Sequence, residues 1–218
     1  VANTRATIAD LFHENEILQV EGQAEGSTAE FLRFVATSPV SRSLDGFTES
    51  MSASGSGRLQ LKLVLPLRRL DDTKVAGSYQ LLANQVVVDD DIPPFSQVNG
   101  RIDFTDTGIS ARNVAAQFLG GQTTVSFATR ADGTVAVNAQ GIATVAGLRR
   151  HADIPLLERV RGGAAWRGSI SLKKRAFEMA IESTLQGVAI DLPAPLGKNA
   201  AETMPLKLER TNSADGEV

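Results

Sequence analysis

Val98-Asn-Gly-Arg-Ile-Asp-Phe104, Ile109-Ser-Ala-Arg-Asn-Val-Ala-Ala-Gln-Phe118, Gln122-Thr-Thr-Val-Ser-Phe-Ala-Thr129 and Thr134-Val-Ala-Val-Asn-Ala-Gln-Gly141 follow one another along the chain. Only Thr-Asp-Thr-Gly, Leu-Gly-Gly and Arg-Ala-Asp-Gly separate them. Apolar residues recur at alternate positions within each run. Each break carries the Gly or Asp-Gly that lets a tight turn reach positive φ. The stretch predicts an antiparallel meander with one apolar face, and the fold of the whole chain is read outward from it.

Upstream, Leu59, Leu61, Leu63, Leu65 and Leu67 alternate with Arg58, Gln60 and Lys62, giving a strand with a leucine face. Pro66 places the end of that strand at an edge or bend, and Arg68 to Asp72 read as a turn. Val75 to Val88 reads as a long strand with an irregularity near Asn84. Thr48 to Gly57, rich in Ser and Gly, reads as a flexible loop. The chain opens with strands over Thr4–Ala9 and Ile17–Glu25, joined by Leu11 to Asn15. Ser27-Thr-Ala-Glu30 matches a capping box, with Phe31, Leu32, Phe34 and Val35 at helical spacing behind it. Ser38-Pro39 ends that helix, and Val40 to Leu44 reads as a further helical turn.

Downstream, a weaker helical period runs from Thr144 to Arg150. Asp153 to Val160 reads as a short capped helix with Pro155 near its start, stopped by Gly162-Gly163. Strands are expected over Trp166–Lys173, Phe177–Leu185 and Met204–Arg210, with Leu192-Pro-Ala-Pro-Leu196 as a proline-locked loop. The expected fold is α+β and predominantly β: a long, strongly curved and twisted antiparallel meander with two short helical segments packed against it. Residues 1–210 read as one continuous segment, and 211–218 as a disordered tail. Pro39 and Gly46 recur as Pro155 and Gly162, so strand, helix and strand occur twice, with a repeat boundary near residue 141.

The composition narrows the function. The chain has 218 residues, 22 Lys and Arg against 25 Asp and Glu, and a net charge of −3. That balance argues against nucleic acid as a partner, which needs a basic stripe. The absence of Cys excludes disulfides and thiolate metal sites. No apolar run approaches the ~20 residues that span a bilayer. The chain opens inside a strand pattern, Val1 to Ile8, as a piece of a longer product would.

Candidate chemistry is sparse. Asp89-Asp-Asp91 lacks the spaced oxygen donors and glycine of a cation loop and reads as a solvated turn. His13 and His151 stand without a nucleophile elbow or paired-His motif and read as surface residues. Gly120-Gly121 and Gly162-Gly163 lack the strand, helix N-terminus and Lys of a phosphate loop and read as turns. Lys173-Lys-Arg175 reads as a charged hairpin tip, with an anionic headgroup as the other reading. The leucine face, with Phe104, Phe118, Phe127, Trp166 and Ile170, reads as ordinary core beneath the helices or as the lining of an apolar groove. The residues alone favour the core.

Three segments add a resemblance. Val98-Asn-Gly-Arg-Ile-Asp-Phe-Thr-Asp-Thr-Gly-Ile, Ala115-Ala-Gln-Phe-Leu-Gly-Gly-Gln and Asn138-Ala-Gln-Gly-Ile-Ala resemble the repeated pattern of AsmA-like proteins. Glu21-Gly to Thr37-Ser-Pro-Val, and Gln186-Gly-Val-Ala-Ile-Asp-Leu-Pro-Ala-Pro-Leu-Gly-Lys198, resemble the YhdP branch of that family. The likeness runs to about Arg210. It implies the periplasmic segment of a large protein anchored in the inner membrane of a Gram-negative bacterium. It further implies a β-groove that carries phospholipid between inner and outer membranes and supports the outer-membrane barrier. Phospholipid acyl chains, neighbouring repeats of the longer protein and envelope partners are the implied partners. The family offers no catalytic residue or cofactor to carry over, so a non-enzymatic role is expected. On this reading Leu59, Leu61, Leu63, Leu65, Phe104, Phe118, Phe127, Trp166 and Ile170 are groove candidates. A sealed structural module of the envelope stays open as the alternative, with an envelope hydrolase built on His13 or His151 behind it.

Overall fold

The structure is a computed structural model that describes residues 3–9, 16–37, 51–89, 92–173 and 176–212. Twelve strands and two short helices make up these residues. In chain order they are β1 (Asn3–Ala9), β2 (Ile17–Ser27), α1 (Thr28–Thr37), β3 (Ser52–Pro66), β4 (Lys74–Val87) and β5 (Phe95–Thr105). Then come β6 (Gly108–Phe118), β7 (Gly121–Thr129), β8 (Val135–Thr144), α2 (Val145–Arg149), β9 (Val160–Lys173), β10 (Ala176–Ser183), β11 (Val188–Ile190) and β12 (Leu206–Asn212). The strands form one open antiparallel sheet in chain order from β1 to β10, then β12, while β11 pairs back onto β9. The predicted meander of β5 to β8 is its centre.

Antiparallel pairing sends alternate residues to opposite faces, and the register collects the apolar ones on one side. A single cross-strand row runs Ala24, Leu59, Tyr79, Ile102, Ala111, Phe127, Val137, Ile170 and Met179, from β2 to β10. A second runs Val114, Val125, Ala139, Gly168, Ile181 and Leu208, from β6 to β12. The opposite face is polar and laced with exposed ion pairs: Glu21–Lys62 at 2.8 Å, Arg101–Asp103 at 2.8 Å, Arg167–Glu182 at 2.8 Å and Arg58–Glu25. Exposed pairs of this kind contribute about 0–1 kcal/mol each, so they keep that face wet rather than hold the sheet.

Several local expectations are corrected. Ser52 to Gly57 belongs to β3, not to a loop. Its small residues are there because the sheet packs tightly beneath them. A Cβ at Gly57 would lie 2.5 Å from the Tyr79 ring, and Gly55 adopts φ +111 at a register shift against Asn84. Gly162-Gly163 likewise lies inside β9 instead of stopping a helix. A Cβ on Gly162 would meet the Gly187 carbonyl at 2.1 Å, because β11 crosses there, and sequence pattern gave no sign of so short a strand. Pro155–Arg159 is a 3-10 turn without a side-chain cap. Ser27 is the last residue of β2, and Glu30 pairs with Arg33 at 3.1 Å, so the capping box is replaced by contacts of Thr28. β12 continues through Thr211 to Asn212, past the expected start of the tail. Leu11 to Asn15 with His13, Val40 to Leu44, Asp90, Asp91, Lys174, Arg175 and residues 213–218 lie outside the described residues.

The proline-locked segment closes on a buried lysine. Lys198 is 6% exposed, and its ammonium donates to the carbonyls of Leu185 at 2.9 Å, Val188 at 2.8 Å and Asn199 at 3.1 Å. Lys198→Met keeps the length of the side chain and strips three carbonyls of their donor. It is expected to cost about 2 kcal/mol, read from the urea midpoint. A loss under about 0.5 kcal/mol would show that the loop holds its own shape.

Candidate functional site

The apolar face is divided by what lies on it. α1 rises from the end of β2 and lies over β3 and β4. Its Phe31 ring stacks on Tyr79, centroids 3.9 Å apart and planes within 8°, and tilts against Phe104 at 5.9 Å. Val35, one turn on, joins Val75 and Phe104 in a buried cluster against which Leu59, Leu61 and Leu63 pack. Phe104 itself is 4% exposed. Four of the predicted groove residues therefore sit under a helix, and Leu65 lies nearer the end of β3, half-buried and paired with Leu18.

The start of α1 is pinned by polar contacts. Thr28 donates its hydroxyl to Asn84 Oδ1, and Asn84 Nδ2 donates to the Ser56 carbonyl at 2.9 Å. A threonine hydroxyl has one proton, so the 2.9 Å contact with Tyr79 must run from the phenol to Thr28. Burial pushes the Tyr79 phenol above its ordinary pKa, which keeps that donor in place.

Beyond this roof the face changes character. Phe127 and Val125 border the central cluster of Tyr79, Leu81, Val98, Ala111, Val114 and Ala116. Val137, Ile170, Leu172, Met179, Ile181 and Leu208 belong to none of the hydrophobic clusters under the helices. They are half-buried at most, and Leu208 is 52% exposed. At the far end of this region α2 packs Val145 against Ala164 and Val188. Thr144 caps it by accepting from the Gly147 amide at 3.0 Å while donating to the Leu119 carbonyl. Between that end and the open rows stand Phe95, Phe118 and Trp166, with centroids 4.6 Å and 5.4 Å apart along the series.

The polar face has a hollow of about 420 Å³ lined by Asn113, Thr124, Ser126, Asn138, Gln140, Ser169 and the Arg167–Glu182 pair. Its lining is mainly amides, hydroxyls and one ion pair, with only Ala139, Gly168 and Ala180 between them, and does not suit an acyl chain. His151 is exposed. Lys173 is tied to Asp132 at 2.8 Å, and that bond with those from Thr134 holds the Asp132 carboxyl well below the usual range. Among the described residues no group of three or more His, Asp or Glu side chains is placed to hold a metal ion, and no helix is long and apolar enough to cross a membrane.

Among the described residues the structure is an open antiparallel sheet with one apolar face, roofed by a helix over part of its width. The chain belongs to the YhdP protein family, whose model matches residues 1–217. That family is envelope-associated and related to lipid transport. No curated protein and no solved structure gives a significant match to the chain.

Proposed function

We propose that the unroofed part of the apolar face, from β7 to β12, lines a track for phospholipid acyl chains between the inner and outer membranes. The observation that carries this reading is the continuation of both apolar rows past α1, through Phe127, Val137, Ile170 and Met179 and through Val125, Ile181 and Leu208. An acyl chain laid across such rows leaves water at about 0.8 kcal/mol per CH₂ and needs no specific polar partner. Movement along the track then meets only small barriers, because each strand offers a similar surface. Leu59, Leu61 and Leu63 serve in this scheme as the seat of α1, and family membership supports the choice of lipid as occupant.

A photo-crosslinking residue placed singly at Phe127, Ile170, Leu61 and Gln60 in cells tests the proposal. Phospholipid adducts are expected from Phe127 and Ile170, few from Leu61 beneath α1, and none from Gln60 on the polar face. Labelling confined to Gln60, or none at Ile170, would overturn it.

A further inference from the structure

We infer that Thr123 and Trp166 together hold the carbonyl oxygen of an acyl ester at the border of the apolar rows. The inference rests on the lipid reading above and names the atom of the lipid that the face recognises. Thr123 Oγ1 and Trp166 Nε1 are both buried without a hydrogen-bond partner among the described residues. Thr123 is only 3% exposed. Buried polar atoms are nearly always paired, because water has been lost and nothing has replaced it. Two such atoms in one cross-strand row point to a group that arrives from elsewhere.

Register sets them in one row, on the strands either side of β8. Thr123 pairs with Gly141, and Gly141 pairs with Trp166 on its other side. All three lie on the apolar face, and the middle strand has no side chain to separate the other two. The Thr123 hydroxyl leans over that gap: a Cβ on Gly141 would sit 2.5 Å from Oγ1. The full row is Ala116, Thr123, Gly141, Trp166 and Ser183, next to the row of Val114, Val125, Ala139, Gly168 and Ile181. A polar row thus borders an apolar one, in the order in which an ester borders its acyl chain.

The donor set selects the ligand group. An indole N–H only donates, and a threonine hydroxyl can donate. Two donors suit one strongly accepting oxygen that carries no proton, which describes an ester carbonyl; an ether oxygen accepts more weakly and lies nearer the chain axis. The row contains no Lys or Arg for a phosphate and no Asp or Glu for an ammonium headgroup. Both atoms are closed to solvent, so entry requires a neighbouring side chain to shift; the Phe118 ring lies beside the indole, with centroids 5.4 Å apart.

Trp166 is the only tryptophan, so its emission reports this site alone. The 218-residue chain is titrated with a short-chain diacyl phosphatidylethanolamine below its micelle concentration and with the dialkyl ether analogue of equal chain length. The ester lipid is expected to shift the emission and to bind about tenfold more tightly than the ether. Thr123→Val should weaken ester binding several-fold, to a value between the parent's ester and ether affinities because the indole donor remains, and leave the ether unchanged. Without lipid this variant should melt no lower than the parent, since a methyl replaces an unpaired hydroxyl. Equal binding of ester and ether, or no effect of Thr123→Val, would overturn the inference and leave a buried water as the partner of the pair. Labelling from Ile170 would show that the track survives that result. Failure of both lipids to bind, with no label at Ile170, would overturn the track as well.

Discussion

Phe31→Ala is expected to destabilise the chain by about 3 kcal/mol and to bring lipid to Leu61. The ring is the principal apolar contact of α1 with the sheet, stacked on Tyr79 and leaning on Phe104. Phe to Ala substitutions in cores cost about 3–5 kcal/mol, and the partial exposure of this ring puts it at the low end. Val35 and the Thr28 contacts remain, so the helix should loosen rather than detach. Loosening uncovers Leu59, Leu61 and Leu63, the leucines that resemble a groove lining in sequence. Two readouts are therefore linked. The urea midpoint should fall by the equivalent of about 3 kcal/mol, and a crosslinker at Leu61 should acquire phospholipid adducts that the parent lacks. A destabilised variant with no label at Leu61 would mean that β3 offers no surface for lipid even when bare. Strong labelling of Leu61 in the parent would mean that α1 is no roof.

The sheet was legible because its strands are two-sided. Where one face is buried and the other wet, alternation writes itself into the sequence, as in Leu59 to Leu65 and Val98 to Gly141. Alternation identifies a face but does not say what covers it. Leu61 and Ile170 obey the same pattern, yet one lies under α1 and the other in the open. Only the placement of Phe31 and Val35 distinguishes them, and that depends on long-range contacts, such as Phe31 with Tyr79 and Phe104. The Ser and Gly of β3 misled for a related reason. Gly57 is small because of Tyr79, and Gly55 because of Asn84, partners that local pattern cannot see. Thr123 and Trp166 were ordinary residues in their strands until register set them on either side of Gly141. In the sequence Trp166 reads as apolar core or groove lining, whereas in the fold its indole N–H is buried without a partner among the described residues.

Asn84→Leu is expected to cost about 3 kcal/mol although it opens no cavity, since leucine has the same branched shape and is the larger side chain. Asn84 is 0% exposed and lies where two irregularities meet: the β4 register shift after Ala83, at φ 51, and the β3 shift between Ser54 and Ser56. Its amide satisfies the Ser56 carbonyl on one side and the Thr28 hydroxyl on the other. Leucine leaves the Ser56 carbonyl without its donor and frees the Thr28 proton in surroundings where neither finds water, at about 1–3 kcal/mol for each group stranded. Thr28→Val alone removes one arm of the network and should cost about 1.5 kcal/mol. Once Asn84 is gone Thr28 has less to lose, so the double variant should be less destabilised than the sum by about 1 kcal/mol. Simple additivity in urea unfolding would mean that the two residues act separately and that α1 is held by Phe31 and Val35 alone. Coupling of the expected size would make Asn84 the link through which the bulged strands set the position of the roof, and hence where the open apolar face begins.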